Sequence, residues 1–330
     1  HEMTNSGFAA HQRLWGVSIA AMLLFSGTLS QAQSLPDFDG SNAEIQALVK
    51  AFREGSLSRK SDDDQSARGQ TERFAVLFIN GLTPERRAFL IQKAGGTVIH
   101  DLWLVDGAAA MVPADGAAVF LASLKEQPEI RLVEKDLFRK LIETSFLQSP
   151  PRAVPAIGSL HDRVMGKSQD VPWGIRRVNA EKAWSVTRGR GIRVAIVDSG
   201  IDFNHSDLWV RGGFNVINPG RSAQDDNGHG THVAGTVAAL DNGFGVVGVA
   251  PEAALYAVKV LNADGWGYYS DIAYGIQWSV GQQMHIVNLS LGGDQPSTVL
   301  EEAVRNATTA GVAVVAAAGK MLPPQDVDGG

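Results

Sequence analysis

Ile192-Arg193-Val194-Ala195-Ile196-Val197-Asp198-Ser199-Gly200 is a run of mostly aliphatic residues stopped by an acid, a serine and a glycine. Alternation of apolar and polar residues marks a strand with one wet face. A continuous apolar run of this length, bounded by turn residues, marks a strand buried on both faces. Further strands of this kind read at 254–260, 286–291 and 312–317, and helical patterns separate them at 231–240, 269–283 and 298–310. Strand alternating with helix gives a parallel sheet with helices on both faces, because each parallel connection crosses over and covers the sheet. The fold class of this part is therefore α/β. Ligands of such sheets sit at the carboxyl ends of the strands, where Asp198, Gly292-Gly293 and Gly319 lie.

Outward from this strand comes Asp225-Asp226-Asn227-Gly228-His229-Gly230-Thr231-His232-Val233-Ala234-Gly235-Thr236-Val237. A polar, glycine-bearing loop runs into a helix of small apolar residues. Asp226 or Asn227 is suited to accept from the unpaired N–H groups of the first turn. His229 then stands at a helix start, where the positive end of the dipole disfavours the imidazolium and keeps the ring a neutral base. Glycines on either side let a substrate backbone come close. A lone histidine here reads first as a capped core helix with a stray ring, and a lone strand-end aspartate as a helix cap or turn residue. The two together suit a carboxylate that fixes the imidazole tautomer and stabilises the imidazolium. His229 and His232 lie one turn apart, but no glutamate of a zinc-protease helix accompanies them.

The chain has 330 residues, 44% hydrophobic and 19% charged, with formal net charge −6. That is a globular balance with length for about two domains. Without a Lys/Arg cluster, nucleic acid is not an expected partner. The absence of cysteine excludes a disulfide framework and thiol chemistry. Residues 1–32 read as a signal peptide: Arg13, an apolar run over 14–29, then Ser30-Gln31-Ala32 as a small-x-small cleavage site. The run is too short and too often broken by Gly and Ser for a membrane span. The first residue is His1, and Met3 is the expected start. Secretion follows, with no membrane association after cleavage. Residues 33–72 are a polar linker. Residues 73–138 read β-α-β-β-α-β: strand 73–79, helix 84–94 with Thr83 as N-cap and Gly95 as stop, strand 97–105, a turn at Asp106-Gly107, strand 108–112, helix 117–125 and strand 130–133. That order is a ferredoxin-like α+β module, with no catalytic constellation in it. Residues 139–167 are a connector broken by Pro150, Pro151, Pro155 and Gly158, open to proteolytic nicking. Residues 168–330 are the α/β domain.

Val194-Ala195-Ile196-Val197-Asp198-Ser199-Gly200-Ile201-Asp202 resembles the aspartate motif of the subtilisin-like serine proteases, and His229-Gly230-Thr231-His232-Val233-Ala234-Gly235-Thr236-Val237-Ala238 their histidine motif. Val247-Gly248-Val249-Ala250-Pro251, Tyr256-Ala257-Val258-Lys259-Val260-Leu261 and Ser290-Leu291-Gly292-Gly293 are similar to the stretches that follow, and Val171-Pro172-Trp173-Gly174-Ile175 to the start of the mature enzyme. The similarity runs from Ser168 to Gly319. The module at 73–138 resembles the propeptide, an intramolecular chaperone and inhibitor. The resemblance implies a subtilisin-like parallel sheet and a secreted, monomeric endopeptidase made as a zymogen, its partners polypeptide substrates and its own propeptide. It implies that Asp198 orients His229, the general base for a serine hydroxyl. Substrate is then held as an added strand between Gly265-Trp266-Gly267 and Ser290-Leu291-Gly292. It also implies a structural Ca2+ site from Gln169, Asp207, Leu240, Asn242, Phe244 and Val246, whose oxygens suit that cation, and a maturation cut before Ser168.

The pattern departs from the family twice. The strand before Gly319 is followed in the family by Gly-Asn, an oxyanion donor, where this chain has Lys320. Losing such a donor costs on the order of a hundred- to a thousandfold in rate. The Gly-Thr-Ser-Met-Ala-type nucleophile motif does not occur before Gly330. Ser270 and Ser279 fall in a helix, Ser290 belongs to the substrate strand and Ser297 is an N-cap. The expectation is an incomplete sheet in a chain truncated or frameshifted before its serine, and so inactive as it stands. The other readings are a non-catalytic peptide-binding pseudoprotease and a secreted calcium-binding protein.

Overall fold

The structure, a computed structural model, describes residues 70–140, 169–293 and 295–317. The signal peptide, nearly all of the linker, the connector from 141 to 168 with its expected cut, and the tail holding Gly319 and Lys320 lie outside the described residues. The described residues other than 218–221 cluster as one compact unit, and it contains two main sheets. No helix among them is long and apolar enough to cross a membrane.

The first sheet is built from β1 (Thr71–Phe78), β2 (Thr97–Leu102), β3 (Gly107–Pro113) and β4 (Ile130–Lys135), with α1 (Pro84–Lys93) and α2 (Ala117–Lys125) between them. Its order is β2-β3-β1-β4 and every pair is antiparallel, which is the ferredoxin-like arrangement. Thr83 caps α1 by accepting from Arg86 N at 3.3 Å, and Gly95 ends it at φ 94°. Alternate residues of β1 face opposite ways. Phe74, Val76 and Phe78 pack on Leu90, Ile91, Phe120 and Leu124 of the two helices, while Ala75 and Leu77 join the core of the second sheet. The strand expected over 97–105 ends at Leu102 and gives way to a 3-10 turn, Trp103–Val105. The diversion is caused from outside: Leu104 N donates to Gln277 Oε1 at 2.9 Å and Leu104 O accepts from Asn306 Nδ2 at 2.7 Å.

The second sheet has the order β11-β10-β6-β8-β7 and is parallel throughout. Its strands are β6 (Arg193–Asp198), β7 (Val210–Asn215), β8 (Ala254–Lys259), β10 (Ile286–Leu289) and β11 (Ala313–Ala316). Short helices α3 (Trp173–Arg177) and α4 (Ala180–Ala183) precede it, and α5 (His229–Ala238), α6 (Tyr269–Gly281) and α7 (Thr298–Thr309) cover it. Val194 and Ile196 of central β6 pack towards Ala234 and Ala238 of α5. Ala195 and Val197 pack the other way, towards Ile272, Ile276, Ala303 and Ala307 of α6 and α7. Helices on both faces thus follow from the two-sided apolar strand. Several expected limits move by one or two residues. The helix read as 231–240 begins at His229 and ends at Ala238; the helix read as 269–283 ends at Gly281; and the strand read as 286–291 ends at Leu289.

Three strands escape the sequence pattern. β7 is an edge strand with Gly212-Gly213 at its centre, and a Cβ on Gly213 would collide with the Ala257 carbonyl, so the glycine is there for close approach of β8. β5 (Phe138–Lys140) extends the N-terminal module past its expected limit at 138 and pairs antiparallel with β9 (Trp266–Tyr268). The register sets Phe138 against Tyr268, Arg139 against Gly267 and Lys140 against Trp266.

Candidate active site

β6 delivers Asp198 to the carboxyl end of the parallel sheet, with no side-chain surface exposed. Its Oδ1 accepts from Ser199 N at 2.7 Å and from His229 Nδ1 at 2.8 Å, and Oδ2 lies 2.9 Å from the same ring nitrogen. Because a carboxylate only accepts, Nδ1 carries the proton and proton transfer falls to Nε2. The ring is 27% exposed, enough to reach a bound molecule.

The start of α5 is set by Asp225. Its Oδ1 accepts from Ser199 Oγ at 2.8 Å and from Asn227 N and Gly228 N at 3.0 Å, and its Oδ2 from Thr231 N at 2.9 Å. Asn227 Oδ1 accepts from His229 N at 3.1 Å. Of the two expected caps Asn227 serves, but the carboxylate is Asp225, not Asp226; Asp226 turns instead to Lys259, 2.6 Å away. Asp225 was legible as the head of an Asx turn leading into Gly228 at φ 99°. α5 comes down tightly on β6, since a Cβ on Gly230 would collide with the Gly200 carbonyl and stand 3.2 Å from Asp198 Cβ.

The electrostatics correct one expectation. The hydrogen bond that Nδ1 donates to Asp198 raises the His229 pKa above its ordinary 6.5; burial opposes it, and the charges of Asp198 and Asp225 add to it. Two carboxylates thus outweigh burial, which alone favours a neutral ring. Asp225 itself is lowered: burial pushes it up, but Thr231 and three backbone amides overcome that.

Of the expected substrate-binding residues, Gly265 forms a turn at φ 79°, and Trp266 and Gly267 lie on β9, already paired with Lys140 and Arg139. Phe138 stacks on Trp266 with centroids 5.4 Å apart. Asn227 Nδ2 donates to Ala263 O at 2.7 Å, tying the His229 loop to the turn before β9. Ser290, Leu291 and Gly292 follow the end of β10 without strand pairing. The serines of this region are engaged elsewhere: Ser270 Oγ with Asp136, Ser279 Oγ with Gly275 O, Ser290 Oγ with Asn288 Nδ2, and Ser297 Oγ with Glu134.

The residues named for a cation also gather. Gln169 Nε2 donates to Leu240 O and, at 2.9 Å, to Val246 O, while its Oε1 accepts from Gly243 N at 3.1 Å. Asp207 accepts from Asn242 Nδ2 at 3.1 Å and Val246 N at 2.9 Å. Phe244 joins only through its N–H, donated to Asn242 Oδ1 at 2.9 Å. A Cβ on Gly245 would strike the Asp207 carboxylate, so the loop wraps closely about that acid. Among the described residues no three His, Cys, Asp or Glu side chains gather as a metal site. The set here is instead one carboxylate, two carboxamides and main-chain carbonyls. Half a turn of the Gln169 carboxamide brings Oε1 to the two carbonyls, and such an all-oxygen set fits a hard cation.

A parallel sheet covered on both faces, with an Asp–His pair at the carboxyl end of its central strand, defines an α/β protein of subtilisin-like architecture. Residues 189–325 match the model of the subtilase family. Subtilisin BL of Lederbergia lenta is 56% identical over 153 residues, 46% of this chain and 56% of that protein. An alkaline protease of Alkalihalobacillus alcalophilus is 47% identical over 209 residues, 61% and 54% of the two chains. Subtilisin E of Bacillus subtilis (strain 168) is 39% identical over 246 residues, 73% and 56%. The chain thus spans about half the length of the curated relatives it matches.

Proposed function

We propose that this chain is the precursor of a secreted subtilisin-type serine endopeptidase, in which His229 is the general base and Asp198 orients it. The observation that carries the reading is the buried Asp198 carboxylate on His229 Nδ1 at 2.8 Å. His229 Nε2 takes the proton of a serine hydroxyl as that oxygen attacks the scissile carbonyl, and later returns it to the leaving amine; Asp198 stabilises the imidazolium between the two steps. None of Ser270, Ser279, Ser290 and Ser297 takes the nucleophile's place, because each is bonded to another partner. Substrate adds as a strand on Gly265-Trp266-Gly267, a role supported by β5 lying antiparallel on that same edge. The module of β1 to β5 is accordingly the enzyme's own propeptide, holding the edge until it is removed. Gln169, Asp207, Leu240, Asn242 and Val246 hold a structural Ca2+, with Phe244 at the rim of the loop.

The test is the hydrolysis of casein by protein carrying the family's nucleophile motif in frame. Replacing His229 by Ala should lower kcat by about a millionfold, the size of loss known for the base in subtilisin. Turnover within tenfold of the parent would remove the general-base role.

A further inference from the structure

We infer that Lys259 is a positioning residue for His229: its buried ammonium clamps together the strand end that carries Asp198, the loop that opens the His229 helix, and the segment leading to β9. Lys259 ends β8 and is 3% exposed. In the parallel register it stands directly beside Asp198. Its Nζ donates to Ser199 O at 2.7 Å, Leu261 O at 2.8 Å and Asp226 Oδ1 at 2.6 Å, so all three N–H groups are used.

Each acceptor belongs to a different part of the site. Ser199 follows Asp198 and donates to it through its amide and to Asp225 through its hydroxyl. Leu261 N and Val260 N donate to Asp198 O at 3.3 and 2.9 Å. Asp226 lies between Asp225, which fixes the first turn of α5, and Asn227, which caps His229 and reaches Ala263. An ammonium is costly to bury unless its bonds are made. A side chain that only filled space here would be apolar. An arginine fork does not match three acceptors converging on one point. Asp226 is half exposed, so its ion pair with Lys259 adds little stability and chiefly fixes the loop.

The inference rests on His229 being the base, yet its test needs no turnover. The imidazole of His229 is titrated by NMR in the full chain, with Lys259→Met, Asp226→Ala and Asp226→Asn. The charged groups that act on the ring are Asp198 and Asp225, with Asp226 beyond them in the loop and Lys259 bonded to it. A clamp and a bare charge have opposite signs. Loss of a nearby cation alone raises the protonation constant of His229. Loss of the clamp loosens the contact with Asp198 and lowers it, by about threefold or more. Asp226→Asn removes the same charge as Asp226→Ala but keeps an acceptor for Nζ, so the difference between the two is the tether alone. We expect Lys259→Met to lower the constant and Asp226→Ala to lower it further than Asp226→Asn. A rise in Lys259→Met, or equal values for the two Asp226 variants, overturns the inference. If Lys259→Met does not fold, the pair at half-exposed Asp226 decides alone. Failure of the clamp leaves the casein test untouched, so the two proposals fall separately.

Discussion

At Asp198 a carboxylate with no exposed side-chain surface meets two donors, Ser199 N and His229 Nδ1, and most of the chemistry follows from that. The His229 pKa is raised above 6.5 by this bond. A histidine raised on folding adds stability that is complete below the unfolded value and is lost as pH rises through the folded one. For catalysis the order is reversed, since the base must be neutral. The acid limb of kcat/KM is therefore expected above pH 6.5, where a free imidazole would place it. Asp198→Asn should move the His229 midpoint down, because the acceptor that raises it is gone. Where the nucleophile is present, the rate should fall about ten-thousandfold through the wrong tautomer. NMR titration reads the first effect and a pH–rate profile the second; an unmoved midpoint in Asp198→Asn would mean that the contact with Asp198 does not set the pKa.

One scale up, α5 owes its position to contacts that only a folded chain supplies. Asp225 gathers donors from Ser199 and from its own turn, and Gly230 lets the helix touch the Gly200 carbonyl. Asp225→Ala strands several of these donors and should cost roughly 1–3 kcal/mol in chemical denaturation. Gly230→Ala must push α5 off β6, so it should lengthen the Asp198–His229 contact and return the His229 midpoint towards its ordinary value. The cation loop is a second such element. If the proposed site holds Ca2+, the ion at a hundredfold above its Kd would stabilise the fold by about 2.7 kcal/mol. Chelation should lower Tm, and Gln169→Ala should blunt that response; a Tm indifferent to chelator would dispose of the site. The strands and helices of the parallel sheet were legible because β6 is apolar on both faces. The Asp–His pair was legible because a strand end and a helix start bracket it. β5 and β7 were not, since a three-residue Phe-Arg-Lys strand and a Gly-Gly edge carry no period. The raised His229 pKa was not legible, because the bond to Asp198 and the charge of Asp225 reach the ring only in the folded chain.

At the scale of the whole compact unit, the ferredoxin-like module meets α6 and α7 through charge buried in an apolar face. Glu134 accepts from Ser297 Oγ, Thr298 N and Val299 N at the start of α7, and Asp136 accepts from Ser270 N and Oγ at the start of α6. Both acids cap helix ends from another part of the chain. Beside them, Arg73 of β1 reaches Asp136 at 3.1 Å and Asp271 at 2.8 Å, and His100 of β2 reaches Asp271 at 2.8 Å. None of these four is more than 6% exposed. Burial pushes Asp271 up, but Arg73 and His100 overcome it and hold it at about 2; Asp136 is left raised, burial outweighing Arg73. The depressed Asp271 adds stability that is present above its ordinary 3.8 and fades only as pH falls through about 2. The docked module should therefore withstand mild acid, and its weak point is the single guanidinium. Arg73→Met leaves two buried carboxylates with only the His100 imidazole beside Asp271 and should cost about 3–5 kcal/mol at pH 7. Because those carboxylates then bind protons in the folded state at unusually high pH, the deficit should shrink as pH is lowered towards about 5. Urea unfolding of the parent and of Arg73→Met across that range, followed by hydrogen exchange in β1 and α6, measures both. A deficit that did not change with pH would mean that Arg73 acts through its packing on Tyr268, whose ring lies 3.8 Å beneath it, and not through its charge.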